Sequence, residues 1–252
     1  KGAALATMIS QIIVCIIFIY MMFFKKHSYI TFVLKDFSFS TEIISNIFKL
    51  GIPASLSMVI MSFGDIVFNR IFNSSDVVAA FQTAGRIQHI FFLPIISIAH
   101  SLVTLVGMFY GAKRIDLLNI VVFYGIKAGI IFALIFGFIF YFFADVFISG
   151  FTESTTIIQI GAGYFYIMVF AFPFTSIGMT CSRVMQGLGH GTPMLIITAM
   201  RVILISAPLA LYFTRSLGKP IEFIWYSMLI SSFFAATTAF IWMKKIISEK
   251  TI

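Results

Sequence analysis

The sequence predicts an all-α integral membrane protein of about seven transmembrane helices, and three observations carry that expectation. Of the 252 residues, 60% are apolar or aromatic and only 10% are charged, where a soluble domain carries about 25% charged residues. Mean hydropathy is +1.06 and 32 residues are Phe, more apolar surface than one water-soluble core can hide. The apolar residues gather in seven runs, 3–24, 51–72, 77–109, 118–143, 157–182, 193–213 and 221–243. Each is as long as the roughly 20 residues a spanning helix needs. Backbone polar groups find no water in lipid, and the runs lack the short alternation of barrel strands, so each reads as a helix. Disordered and fibrous classes are excluded.

Run 3–24 follows Lys1-Gly2 without an initiator Met and is too long for the apolar part of a signal peptide. The chain is therefore expected to be a piece of a longer protein, entered just before a helix. Segment 25–50 is the one long connector. Its stretch Ser40-Thr41-Glu42-Ile43-Ile44-Ser45-Asn46-Ile47-Phe48-Lys49 combines a hydroxyl-rich start with apolar residues at helical spacing. That pattern predicts a short amphipathic helix on the membrane surface. Gly51-Ile52-Pro53 then opens a six-helix body over 51–243, with Pro suited to a first helical turn. Run 77–109 exceeds the bilayer thickness, so part of it tilts or lies at an interface. Gly107-x-x-x-Gly111 and Gly125-x-x-x-Gly129 permit close helix approach. Gly187, Gly189 and Gly191 form a tight turn ending at Pro193. With no strand before them and no Lys-Ser/Thr after them, they do not read as a phosphate loop. Residues 244–252 are a tail.

The net charge is +8, but the bases sit between apolar runs rather than on one soluble face, which argues against nucleic acid. Segments 25–49, 110–117, 183–192 and 244–252 hold ten Lys and Arg, and Lys1 with the alternate connectors holds three. The positive-inside rule then puts the ten-base side in the cytoplasm, the N-terminus of this chain outside and its C-terminus inside a cell membrane. Cys15 and Cys181 both fall within apolar runs, without a partner at metal-ligand spacing, and read as small apolar residues.

Polar groups at bilayer depth are costly and therefore candidates for function. Asp65 lies about 21 Å along its helix and Arg86 about 13 Å along the next, so the two are expected to meet as an ion pair, static or cavity-facing. Lys127 and Arg201 each lie about 12 Å from a helix end. One acid for four helix-embedded bases (Arg70, Arg86, Lys127, Arg201) implies either a wet cavity or carboxylates from elsewhere in the protein. His100 stands without a metal ligand at i±3 or i±4 and reads as a packing histidine or a proton-linked switch. Met58, Met61, Met168, Met179 and Met185 offer either an adaptable pocket or ordinary packing. No serine has a base at triad spacing and no two carboxylates share a face, so an enzyme, including an intramembrane aspartyl protease, is not expected.

Several stations in order resemble one family. They are Gly2-Ala3-Ala4-Leu5-Ala6-Thr7 with Gln11, Leu50-Gly51-Ile52-Pro53-Ala54-Ser55-Leu56-Ser57, Arg86 with Pro94, Leu105-Val106-Gly107-Met108-Phe109-Tyr110-Gly111-Ala112, and Met185-Gln186-Gly187-Leu188-Gly189-His190-Gly191-Thr192-Pro193. Together they resemble the multidrug and toxic compound extrusion (MATE) transporters over essentially the whole chain, with connector 25–49 closer to the DinF-type branch. The resemblance implies a two-lobe, twelve-helix exporter. Residues 1–24 would be the last helix of the N-terminal lobe, 25–50 a cytoplasmic connector, 51–243 the C-terminal six-helix lobe and 244–252 a cytoplasmic tail.

It also implies export of drug-like, cationic or amphipathic molecules by alternating access against H⁺ or Na⁺, without a further cofactor or metal, and with an N-terminal lobe that this chain lacks. Asp65, Gln82, Arg86 and Arg201 would polarise the cavity wall, and Met58, Met61, Thr175 and Met179 would soften it. Met61 and Thr175 stand where NorM-type members carry a cation-coupling Glu and Asp, so coupling is expected outside this chain. A lipid-linked oligosaccharide flippase of the same superfamily is the nearest alternative, and a seven-helix receptor an alternative of a different class.

Overall fold

The computed structural model describes residues 2–23, 39–72 and 74–249. Most of the expected connector, 25–38, and the last residues of the tail lie outside the described residues. The described elements are α1 (Gly2–Phe23), α2 (Thr41–Ile71), α3 (Ser75–Gly111), α4 (Ile115–Ser149), α5 (Thr155–Met168), α6 (Phe172–Gly187), α7 (Thr192–Ser216) and α8 (Glu222–Glu249). No strand occurs among them. The chain divides into two units, Lys1–Ile44 and Ser45–Ile252.

In the first unit, α1 is apolar on every side, as a lipid-facing helix is. Its side chains from Leu5 to Met21 are exposed. The start of α2 also belongs here. Ser40 caps it: its Oγ accepts from the Ile43 N–H at 3.4 Å and its carbonyl from Ile44 at 3.1 Å, which satisfies two of the donors a helix start leaves open.

The second unit is a bundle. Helices α2, α3, α4, α7 and α8 are long and apolar enough to cross a membrane, and α5 with α6, bent by 62° at the break between them, passes the same test when the pair is counted as one span. The expected seventh run survives in α1 as the shorter apolar helix Leu5–Met21. Within lipid the hydrophobic effect does not drive helices together, so close packing must. The buried stripes show how. On α4 it reads Leu118, Val122, Gly125, Gly129, Ala133, Gly137, Phe140, Ala144, Ile148, a small residue nearly every turn. A Cβ on Gly125 would fall 2.6 Å from Leu102, and one on Gly129 would fall 2.6 Å from Ser176 Oγ, so α3 and α6 approach the bare backbone of α4. Of the other glycine pair, Gly107 backs onto Gly187 while Gly111 meets nothing. Helix α6 is the centre of the bundle, packed on α3, α4, α7 and α8. Aromatic rings fill the remainder: Phe140 stacks on Phe165 at 4.4 Å, and Phe81, Tyr164 and Trp225 form a cluster with Phe72.

Four expectations are corrected here. Ser40–Lys49 is not a separate surface helix, because α2 runs without a break from Thr41 to Ile71 with Pro53 inside it. Pro53 cannot donate to the Lys49 carbonyl, and the approach of Gly191 to the Lys49 and Leu50 carbonyls lets a second segment close over that weakened turn. Run 157–182 is not one straight helix. Pro173 denies the Val169 carbonyl its donor, the Phe170 and Ala171 amides turn to Ile167 and Met168 at 3.2 and 2.8 Å, and the chain bends. Gly137 leaves room for that freed carbonyl, 3.5 Å from where a Cβ would be. Arg183, counted with a connector, lies half-buried inside α6. The expected end of run 118–143 falls on a kink at Phe143, beyond which α4 continues to Ser149. The glycine turn is found as expected: Gly189 has φ +88°, a conformation that favours glycine.

Candidate functional site

On α2 the inward stripe is Ser57, Gly64, Phe68 and Ile71. Met58, Met61 and Asp65, at i, i+3 and i+7, therefore share a face turned away from the bundle core, with Met58 67% and Met61 50% exposed. On α3 the stripe Val77, Ala80, Ala84, Ile87 faces inward, and Gln82 and Arg86, one turn apart, are exposed. Thr175 and Met179 are half-buried on α6, and Arg201 is half-buried on α7. The eight candidates are thus distributed over four helices of the same unit.

The expected Asp65–Arg86 ion pair is absent. Among the described residues the ion pairs are Arg114–Asp116 at 2.9 Å and Lys245–Glu249 at 3.9 Å, both exposed. What meets instead is the neighbouring backbone. Gly64 lies so close to Val202 that a Cβ there would collide with it, so α2 and α7 cross where Asp65 follows one contact residue and Arg201 precedes the other. Arg201 sits in a widened π turn, Met200–Ser206. Pro208, one turn on, has no N–H for the Leu204 carbonyl, and the Ala207 amide reaches back five residues to Val202 instead. Such widened turns often occur at functional positions.

The sequence reading missed two polar contacts. Tyr164 on α5 is buried and donates to Gln88 Oε1 on α3 at 2.6 Å, and Arg201 is close enough to Tyr164 to interact with it electrostatically. The second contact involves His100, which is not solitary: Arg183 Nη2 lies 3.3 Å from its Nε2 while Arg183 Nη1 donates to Gln186 at 2.8 Å. Arginine only donates, so His100 Nε2 accepts and the imidazole is neutral in this contact. Neither partner was accessible to a local search, since 76 and 83 residues separate the pairs. Among the described residues, Asn69 Oδ1, Ser176 Oγ and Ser206 Oγ are buried without a hydrogen-bond partner.

Two open clefts lie in this unit, and neither is lined by any of the eight candidates. One, of about 450 Å³, lies between α3 and α4 at Ser97, Ser101, Leu105 and Tyr124. The other, of about 420 Å³, lies between α4 and α8 at Asn119, Ile126, Phe240 and Lys244. The α2 and α3 candidates Met58, Met61, Asp65, Gln82 and Arg86 are each exposed on their own helix.

Comparison with known proteins agrees with this geometry. The chain is 24% identical over 240 residues to the probable multidrug resistance protein NorM of Thermotoga maritima, covering 94% of the chain and 51% of that protein. It is 24% identical over 193 residues to the multidrug export protein MepA of Staphylococcus aureus, covering 75% of the chain and 42% of that protein. Among solved structures, a MOP-superfamily transporter from Pyrococcus furiosus, described as having a binding pocket of reversed polarity, superposes with a TM-score of 0.93 at 28% identity. The match covers all of this chain and 57% of that one. An outward-facing multidrug resistance MATE-family transporter superposes with a TM-score of 0.94 at 28% identity over the same shares. The chain thus spans about half the length of the relatives it matches. The MatE family model matches residues 52–212, most of the chain, and with five to six apolar candidate spans in a matching fold, the chain belongs to the MatE family of membrane transporters.

Proposed function

We propose that this chain is the second lobe, with the last helix of the first, of a secondary exporter that expels cationic or amphipathic small molecules by antiport with H⁺ or Na⁺. The carrying observation is the outward face of α2 and α3. Asp65, Met58, Met61, Gln82 and Arg86 point away from the lobe's own core, while the lobe superposes throughout on transporters about twice its length. A face that mixes two charges with soft methionines is costly against lipid and suits a water-filled passage shared with a second lobe. Alternating access follows if the lobes rock about such a passage. That Met61 and Thr175 are not carboxylates supports a coupling site in the other lobe, as in a DinF-type branch.

The test is the full gene product in proteoliposomes under an imposed pH or Na⁺ gradient. Gradient-dependent movement of a cationic dye is expected, and Asp65→Asn should reduce it several-fold. Absence of movement under either gradient would overturn the proposal. The second reading, a flippase for anionic lipid-linked sugars, is supported by Arg86 and Arg201 having no carboxylate partner among the described residues. Binding of an anionic lipid-linked sugar in place of a cationic dye would establish it.

A further inference from the structure

The cleft between α4 and α8 belongs to neither reading of the transport path, and its chemistry is specific. Its walls are Val122, Phe123 and Ile126 from the start of α4, and Phe240, Met243 and Ile247 from the end of α8. Asn119, Lys244 and Ser248 are its polar groups. Asn119 lies near the start of α4 and Ser248 near the end of α8, and Lys244 stands between the apolar Met243 and Ile247 of the same wall. That same end of the bundle carries Lys113 and Arg114 just before α4 and Lys245 beside Lys244. Arg114 is engaged by Asp116 and Lys245 by Glu249. Lys244, the base that lines the groove, has no carboxylate within reach among the described residues. Its Nζ rests 5.0 Å over the Phe240 ring, a contact to one face that leaves the remaining ammonium protons for another ligand.

We propose that this groove is a binding site for an anionic glycerophospholipid of the adjoining leaflet. The phosphate sits at Lys244 Nζ with Asn119 and Ser248 as further hydrogen-bond donors, and one acyl chain lies along Val122, Ile126, Phe240 and Met243. Charge complementarity selects this occupant. A zwitterionic lipid brings its own cation with its phosphate and leaves the site with a net positive charge at the edge of the hydrocarbon, where uncompensated charge is costly, whereas basic pockets between spanning helices favour anionic headgroups. The volume of about 420 Å³ lies within the range of roughly 300–1,000 Å³ usual for small-molecule sites. The cleft between α3 and α4 is similar in size and lined without a charged residue, so it should take lipid chains without regard to headgroup and serves as an internal contrast.

The test is native mass spectrometry of the detergent-purified full gene product, titrated with phosphatidylglycerol or phosphatidylcholine of equal chain length. The wild type should retain phosphatidylglycerol about fivefold better, since one lysine near an anionic headgroup is worth about 1 kcal/mol. Lys244→Gln should abolish the preference. Ser248→Trp, which closes the mouth but keeps the lysine, should abolish it too, with folding of both variants checked by circular dichroism and thermal unfolding. No preference in the wild type would overturn the proposal, as would a preference that survives Lys244→Gln. A preference lost in Lys244→Gln but kept in Ser248→Trp would show surface charge acting without the groove, and would equally overturn it. None of these readouts depends on transport.

Discussion

At the scale of single residues, the chemistry of this lobe rests on side chains whose partners lie far away in sequence. Tyr164 and Gln88 tie α5 to α3 through a 2.6 Å hydrogen bond in a buried aromatic cluster. Tyr164→Phe leaves the Gln88 oxygen without its donor, and thermal unfolding in detergent should show a loss of about 0.5–1.5 kcal/mol. The Arg183–His100 contact makes a prediction about pH. It needs a neutral imidazole, and a proton on Nε2 would set two cations against each other. The contribution is therefore present above the ordinary histidine range and is lost as pH falls below about 6.5. The unfolding temperature of the wild type should drop more steeply between neutral and acid pH than that of His100→Gln, and parallel curves would refute the assignment. His100 was legible as a polar residue at depth, yet its partner was not, because an interhelical contact leaves no local spacing to read.

Elements were legible in number and nearly in length, and less so in shape. Run 157–182 carries no charged residue, so run length alone reports one helix. Pro173 was the available signal for the break, and its consequence follows from one missing donor. Pro173→Ala restores that donor. Spin labels near the far ends of α5 and α6 should then report a bend well below 62°, and an unchanged distance would mean that packing against α4 imposes it. The extension of α2 back to Thr41 was hidden for the opposite reason: a polar turn followed by Pro53 resembles a boundary, although proline within a membrane helix is tolerated when neighbours close over the weakened turn. Small-residue pairs were read correctly at Gly125 and Gly129. Gly129→Leu should drive α4 off Ser176, with a cost of about 1–3 kcal/mol from overpacking, visible as reduced yield of folded protein and a lower unfolding temperature.

At the scale of the whole molecule, the charge asymmetry makes a prediction about sidedness. Leaving out the bases that lie inside helices (Lys49, Arg183, Lys244 and Lys245 on one side, Arg215 on the other) still leaves six against two. Single cysteines at Lys113 and Lys245, in a background without Cys15 and Cys181, should react with a membrane-impermeant maleimide only after the cells are permeabilised. One at Lys219 should react in intact cells. The reverse pattern would invert the topology and place the Lys244 groove in the other leaflet.

Composition and run length by themselves determined that the chain is helical, that it crosses a membrane about six or seven times, and, through motifs such as Leu50–Ser57 and Met185–Pro193, which family it resembles. They could not determine which face of each helix is buried. In water the buried face is the apolar one, whereas in lipid both faces are apolar and hydropathy distinguishes neither. Only close packing separates them, and packing is a property of pairs: Gly64 with Val202, Gly129 with Ser176, Gly187 with Val103. The tertiary structure therefore decided that Asp65 and Arg86 do not pair, and that Met58, Met61 and Asp65 look outward. It also turned Lys244 from one base in a charged tail into the single charged residue lining an apolar groove.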